Sequence, residues 1–406
     1  MSAKDAAPVL GANPPEAWRE NPQWKAETPA GVLDITINLA KPEKDPRAIA
    51  AAARDGACVE ESDSALDKKM PSRDLHLACP GGRGRGQKLE ACDLCWTPPA
   101  ADAPAHLRRS GEPVGLVTLQ EERWAWWYSP YGYFPEHLIV AAPEHRRMSI
   151  EPATVDRLLD FVDAYPAYFI GSNADLPIVG GSLLSHDHFQ GGRYRFPLMD
   201  APLERIVMLK DAPGVQAAIV RWPASVMRLR SADREALSHA AACVMAIWRG
   251  YNDETCGIWA ATDAQGRPAA MDEKGTSSAE GSACISTISG VGAVTPHNTL
   301  NPIVWREGDD YVLDLVLRNN RTTAERPYGL FHPDESLFHI KKENIGLIEI
   351  MGRAILPARL AQELPGVKDE ASQGFYQVLC ATGVFKQNEA GRAGWDRFLA
   401  ALGAAR

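Results

Sequence analysis

The sequence predicts an α+β fold, a mainly antiparallel sheet with helices packed on it. Three observations carry this. Short apolar or alternating runs of strand length recur along the chain. Two segments, 151–169 and 232–250, place apolar residues at helical spacing. The two kinds of segment do not alternate regularly, which argues against repeated βαβ units and a doubly wound parallel sheet.

Taken in order, residues 1–30 are rich in Ala, Pro and Trp without periodicity. They read as an extended arm that packs through Trp18 and Trp24. Val32 to Leu39 alternates as a strand does, and Asp45-Pro46 is a start signal for a short helix to Ala53. Residues 55–90 are polar and glycine-rich and read as a mobile surface loop. Within them, Gly81 to Lys88 fails as a phosphate loop: the lysine does not directly follow the last glycine, and no Ser or Thr comes after it. One short Arg-Gly copy in an acidic protein gives little support to a nucleic-acid segment.

Arg123 to Tyr128 is an aromatic strand. Phe134 to His145 is a buried apolar strand with a histidine near each end. Glu151 to Phe169 is a helix on the spacing of Val155, Leu158, Leu159, Phe161 and Val162. A second half starts near Pro202, which divides the chain into an arm (1–30), a first half (31–201) and a second half (202–406). In the second half, Ile206–Leu209, Ala217–Trp222, Val226–Leu229, Ile258–Thr262, Cys284–Ile288, Ile303–Arg306 and Tyr311–Leu317 read as strands. Ala232–Gly250 follows a good helix start at Ser231-Ala232-Asp233, and 264–282 is a polar loop. Asn344–Leu364 reads as a long apolar helix broken at Pro357.

At 406 residues the chain has room for two domains or one duplicated domain, although no internal sequence repeat is visible. Its formal net charge of −9 disfavours nonspecific binding to nucleic acid or an anionic membrane. Positive charge for a small anionic substrate must therefore be local. Of eight cysteines only Cys92 and Cys95 are close together, the pattern of a reduced, cytoplasmic protein. The N-terminus lacks a basic region followed by an apolar run, so no signal peptide is expected, and no apolar stretch approaches the ~20 residues that span a bilayer.

The densest chemistry lies in Gly180-Gly181-Ser182-Leu183-Leu184-Ser185-His186-Asp187-His188-Phe189-Gln190-Gly191-Gly192. In an extended strand His186, His188 and Gln190 project to one face. The flanking glycine pairs permit close backbone approach. The row reads as a phosphate or metal site; the plainer alternative is an exposed alternating face. Cys92-Asp93-Leu94-Cys95 is a zinc-type knuckle that needs two more ligands, and His145 and His186 are available. A redox pair or two buried thiols remain alternatives, and Cys79 is a rival ligand. His188 suits attack on phosphorus if an acceptor such as a backbone carbonyl holds its other ring nitrogen. Gln190 can donate to a phosphoryl oxygen but cannot shuttle protons, which favours transfer to an acceptor over hydrolysis.

These residues resemble the UDP-glucose–hexose-1-phosphate uridylyltransferases, the galactose-1-phosphate uridylyltransferases, in the second of their two sequence classes. Three segments carry the resemblance: Phe169 through Gly192, Ile35 to Pro46, and the run from Pro296-His297-Asn298-Thr299 through Arg318-Asn319-Asn320-Arg321 and Phe331-His332-Pro333 to His339–Glu349. The resemblance implies two histidine-triad-like halves and a ping-pong transfer. His188 would take the uridylyl group from UDP-glucose, release glucose-1-phosphate, and pass the group to galactose-1-phosphate. Gln190 would hold the phosphoryl oxygen. Cys92, Cys95, His145 and His186 match the family's zinc set, a structural zinc being the implied cofactor with no organic cofactor. The implied substrate contacts are Asn173, Gly181, Ser182, Arg321, Lys341, Lys342 and Glu349, with a solvated or helix-capping role an alternative for Lys341, Lys342 and Glu349. A homodimer is implied as well.

There are departures. Residues 55–90 are longer than the family's usual approach to the knuckle, and the N-terminal arm is shorter. The second half lacks the His-x-His pattern of the first class, so no second metal is expected. Trp126 and Tyr128 are candidates to flank a uracil, with core packing the alternative for Trp126. Two other functions are compatible with these residues: another nucleotidyltransferase or phosphorylase of the superfamily, such as a dinucleoside polyphosphate phosphorylase, and a zinc-stabilised nucleotide-binding protein without turnover.

Overall fold

A computed structural model describes residues 16–39, 92–97, 107–108, 112–180, 183–269, 286–288, 291–363 and 366–404. The helix expected at 45–53, the 55–90 loop with Cys79, and Gly181 and Ser182 lie outside the described residues.

In chain order the strands are β1 (Gln23–Thr28), β2 (Gly31–Asn38), β3 (Trp96–Thr97), β4 (Leu107–Arg108), β5 (Gly115–Leu119), β6 (Glu122–Tyr128), β7 (Leu138–Ala141), β8 (Phe169–Gly171), β9 (His188–Gly192), β10 (Leu203–Met208), β11 (Gln216–Val220) and β12 (Val226–Ser231). They continue as β13 (Ala261–Thr262), β14 (Pro268–Ala269), β15 (Ser286–Ile288), β16 (Val291–Pro296), β17 (Asn298–Glu307), β18 (Asp310–Asn319) and β19 (Arg353–Pro357). The α-helices are α1 (Pro152–Ala164), α2 (Arg234–Gly250), α3 (Leu347–Ile350), α4 (Lys368–Thr382) and α5 (Glu389–Ala401).

One antiparallel sheet of ten strands dominates, in the order β10-β11-β12-β18-β17-β8-β9-β7-β6-β5. It is two copies of one topology. In each copy three strands run in sequence, a helix follows, and two more strands insert so that the fifth lies beside the third. The copies are β5, β6, β7, α1, β8, β9 and β10, β11, β12, α2, β17, β18. They meet fourth strand to fourth strand, with Ile303 opposite Gly171 and Val304 opposite Ile170. The duplication absent from the sequence is therefore present in the topology, and the α+β expectation with two like halves holds. The copies differ in two connections. Between helix and fourth strand, the first runs directly from α1 to β8, whereas the second carries β13–β16, which form a separate four-stranded sheet. Between β17 and β18 the chain turns tightly at Gly308, whose φ is +63°. Between β8 and β9 it makes the long excursion 172–187 that carries the chemistry.

The helices form for local reasons. At the start of α1 the Glu151 N–H donates to the Thr154 hydroxyl, and Pro152 sits in the first turn. The Asp233 side chain accepts the Ala236 N–H at the start of α2. Both helices bury their apolar faces on one side of the large sheet, in a core that contains Trp124, Phe189, Leu158, Val244 and Trp248.

Among the described residues, the other side of the sheet has two covers. The knuckle segment with Cys92, Cys95 and Trp96 packs over Ala125, Trp127 and Ala141. The second cover is the three-stranded sheet β1-β2-β19 with the 340–356 segment, which packs over Phe169, Ile303 and Val316. Here the structure corrects the long helix expected at 344–364. That segment is the short α3, then strand β19, then a 3₁₀ turn at Ala358–Gln362. β19 lies parallel to β2, and all five of its residues are buried. Gly352, with φ +97°, makes the turn between α3 and β19. Part of the expected arm also forms regular structure, since β1 pairs antiparallel with β2.

Candidate functional site: a histidine row beside a cysteine–histidine cluster

β9 is the inner strand that positions the site. Its neighbours put Ala141 opposite His188 and Ile139 opposite Gln190 on one side, and Gly171 opposite Gln190 on the other. His188, Gln190 and Gly192 project to the face away from the helices. Phe189 projects to the helix face and stacks on Trp124 at 4.8 Å. The glycines at the end of the row are close-approach positions. A Cβ on Gly192 would stand 2.5 Å from the Phe134 ring and 2.8 Å from the Glu136 carbonyl oxygen. A Cβ on Gly180 would stand 2.3 Å from the Ala174 carbonyl oxygen.

Cys92, Cys95, His145 and His186 converge, with their ligand atoms all within 4.8 Å of one another. The sulfurs are 3.9 Å apart, Cys92 Sγ lies 3.3 Å from His186 Nδ1, and Cys95 Sγ lies 3.3 Å from His145 Nδ1. The Cys95 N–H donates to the Cys92 carbonyl, closing the knuckle. His186 Nε2–H donates to the Ala142 carbonyl at 3.0 Å, which leaves Nδ1 as the ligand nitrogen. The Cys92 sulfur, with His145 and His186, holds the Cys95 thiol far below its ordinary range despite burial. Two sulfurs and two imidazole nitrogens that favour the thiolate make a donor set that fits zinc.

His188 is buried, and its Nδ1–H donates to the His186 carbonyl at 2.8 Å. The lone pair is therefore on Nε2. Burial pushes its pKa down to about 4, so the ring is neutral near pH 7. Gln190 is half-buried, and its Oε1 lies 3.0 Å from His137 Nε2.

The 172–180 loop is anchored at Asp175. Its carboxylate accepts from the Thr299 hydroxyl, the Ile150 N–H and the Arg249 guanidinium. Desolvation pushes the Asp175 pKa up, but Arg249 and these donors outweigh it and leave it below the ordinary range. Ile178, a β-branched residue, holds φ +76° in this loop, a backbone strain of the kind that collects at functional sites. The Asn173 Oδ1 accepts from the Leu347 N–H at 2.9 Å, which ties the loop to α3.

The other predicted site residues separate into groups. Lys341 is 1% exposed, with Nζ 2.6 Å from Glu343, 2.6 Å from Glu349 and 3.2 Å from the Ile355 carbonyl. Glu349 also accepts the Gly346 N–H and so caps α3. Lys342 is half-buried beside them. Arg321 lies in a different cluster, donating to the Gly257 carbonyl and lying over the Trp259 ring at 3.8 Å. Trp126 and Tyr128 are on the helix face, opposite the His188 row, with Trp126 buried in the helix-side core. That placement is core packing and removes them as uracil flanks. Sequence reasoning missed His137, which it saw only as the end of an apolar strand. The available signal was its parity: His137, Ile139 and Ala141 share the face of Gln190 and His188.

The buried histidines predict an acid limb to stability. Burial pushes His137 and His332 down to about 4, against about 6.5 in an unfolded chain. Between these values the unfolded state binds protons that the folded state refuses. Stability from these groups is therefore full above pH ~6.5 and is lost as pH falls toward ~4. Urea midpoints at pH 7.5, 5.5 and 4.5 should decline in that order; a constant midpoint would contradict the burial of neutral imidazoles.

An α+β sheet that presents a buried neutral imidazole and a side-chain amide on one face, beside a cysteine–histidine cluster, has the groups that a group-transfer enzyme acting on phosphorus requires. Residues 161–378 match the family described as the galactose-1-phosphate uridyl transferase C-terminal domain. Among similar curated relatives, the galactose-1-phosphate uridylyltransferase of Lactiplantibacillus plantarum is 40% identical over 94% of this chain and 74% of the relative. That of Bacillus subtilis is 37% identical over 95% of this chain and 72% of the relative. A solved structure of yeast Ap4A phosphorylase Apa2 aligns at TM-score 0.36 and 11% identity, covering 65% of this chain and 72% of that one, and a likeness so distant carries no argument. The chain belongs to the galactose-1-phosphate uridylyltransferase family.

Proposed function

We propose that the chain transfers a uridylyl group from UDP-glucose to galactose-1-phosphate through a covalent intermediate on His188. Family membership supplies the activity. The observation that supports the route is the bond from His188 Nδ1–H to the His186 carbonyl, which leaves a neutral Nε2 lone pair beside Gln190. In the first step Nε2 bonds to the α-phosphorus, and the bond from phosphorus to the bridging oxygen breaks. Glucose-1-phosphate leaves with that electron pair. In the second step a phosphate oxygen of galactose-1-phosphate attacks the same phosphorus and the Nε2–P bond breaks, giving UDP-galactose. Gln190 donates an amide N–H to the phosphoryl oxygen in both steps. It takes no proton from water, so the intermediate is passed to the sugar phosphate rather than hydrolysed.

Asn173 is the substrate contact this reading favours, because its loop sits between β8 and α3. Gly181, Ser182, Arg321, Lys342 and the Lys341–Glu349 pair complete the proposed set. Cys92, Cys95, His145 and His186 would hold one zinc ion, which when bound supplies a structural clamp between the knuckle and the strand that carries His188. Thiolate ligands suit a reducing, cytoplasmic setting. No helix among the described residues is long and apolar enough to cross a membrane.

Incubation with UDP-glucose and galactose-1-phosphate should yield UDP-galactose and glucose-1-phosphate; neither product appearing would sink the assignment. Metal analysis should find one zinc per chain, and chelation should lower the unfolding temperature. A metal-free protein with unchanged unfolding would reduce Cys92 and Cys95 to ordinary thiols.

A further inference from the structure

We propose that His137 is a positioning residue for the transfer: it fixes which end of the Gln190 side-chain amide faces the phosphoryl group. The proposal rests on the role given above to Gln190.

The register makes the contact possible. With Leu138 opposite Gly191 and Ile139 opposite Gln190, His137 comes opposite Gly192, diagonal to Gln190 and on the same face. Gly192 has no side chain there, so the imidazole can lean along the strand to reach Gln190 Oε1 at 3.0 Å. The turn that delivers His137 is tightly constrained. Glu136 holds φ +55°, and the His137 carbonyl accepts the Ser129 N–H at 2.8 Å. The ring is clamped by Phe134 at 4.5 Å and Tyr133 at 5.3 Å.

The tautomer follows from the surroundings. His137 is 3% exposed, and its Nδ1 is buried with no hydrogen-bond partner. A proton on Nδ1 would be a stranded N–H donor, which folded proteins rarely tolerate. The proton therefore sits on Nε2 and is donated to Gln190 Oε1. Burial keeps the ring neutral near pH 7, so this arrangement does not change with small shifts in pH. With Oε1 held, both amide hydrogens point away from His137 and are available to the phosphoryl oxygen. The flipped amide would present its carbonyl oxygen to that oxygen and repel it. His137 thus selects the productive amide state without touching substrate.

The test is a double-mutant cycle with His137→Phe and Gln190→Ala. Phe keeps the ring and its clamps but removes the donor. His137→Phe should lower kcat by roughly 10-fold, less than the ~10²–10³ of removing a transition-state donor outright. KM for UDP-glucose should stay within about twofold. In the Gln190→Ala background the same change should cost nothing further, and His137→Gln, which restores an N–H donor, should recover part of the loss. Losses that multiply in the double variant, or full activity in His137→Phe, would overturn the proposal. A readout independent of turnover is ¹⁵N NMR of the histidines in the resting protein: His137 should be the Nε2–H tautomer, and an Nδ1–H signal would also overturn it. Wild-type protein inactive on both substrates would instead defeat the assigned reaction, while the tautomer measurement would still decide the orientation of the Gln190 amide.

Discussion

His188→Gly is expected to lower kcat by at least ~10⁴-fold while the sheet still forms, the scale on which a lost nucleophile disables an enzyme. The size of the effect follows from geometry. In the proposed route only Nε2 of His188 makes and breaks a bond to phosphorus, and its readiness comes from the bond that holds Nδ1 on the His186 carbonyl. Glycine removes the reacting atom and leaves Gln190, the cysteine–histidine cluster and the Asn173 loop in place. Two measurements decide it. Turnover of UDP-glucose with galactose-1-phosphate should vanish. UDP-glucose labelled at the α-phosphate should leave an acid-labile label on wild-type protein and none on the variant. A labelled or fully active variant would move the covalent step to another residue.

Lys341→Met is expected to destabilise the fold by about 3–5 kcal/mol, the usual cost of breaking a buried ion pair by deleting one partner. Lys341 is 1% exposed and is the shared counterion of Glu343 and Glu349. Methionine fills similar space but leaves two buried carboxylates without their cation. The loss reaches the site indirectly, because Glu349 caps α3 and the Leu347 N–H holds Asn173. Denaturant unfolding should register the loss. A change under about 1 kcal/mol would remove this stabilising role and leave Lys341 only its proposed contact with the sugar phosphate, read as a rise in KM.

Much of the site was legible because strand parity is a strong constraint. His188 and Gln190 share a face in β9 as their spacing required, and the knuckle meets His145 and His186. The helix expected at 232–250 is α2, begun by Asp233. The segment 344–364 was misread for a physical reason. Leu347–Met351 and Arg353–Pro357 are buried on every side, so their apolar run carries neither a helical nor an alternating period. Gly352 marks the break between them only once its positive φ is known. The repeat of the two halves was invisible because it lives in strand order and helix placement, which unrelated residues can satisfy. His137 escaped for the converse reason: its local sequence is an ordinary strand end, and its partner is 53 residues away.

The pairing of β19 with β2 also sets a schedule for the growing chain. The Arg353 guanidinium donates to the Thr36 hydroxyl across 317 residues of sequence. At ribosomal speeds of ~5–20 residues per second, β2 waits on the order of 20–60 s for its parallel neighbour. Through that interval β2, whose Leu33, Ile35 and Ile37 are fully buried in the finished protein, has β1 as its one hydrogen-bonded strand neighbour among the described residues. The first half can assemble the His188 strand early from nearby segments, but the layer over it is completed only once β19 has been made. Chains cut short before residue 353 would keep an open apolar strand edge, and nascent protein is most exposed to self-association in that window.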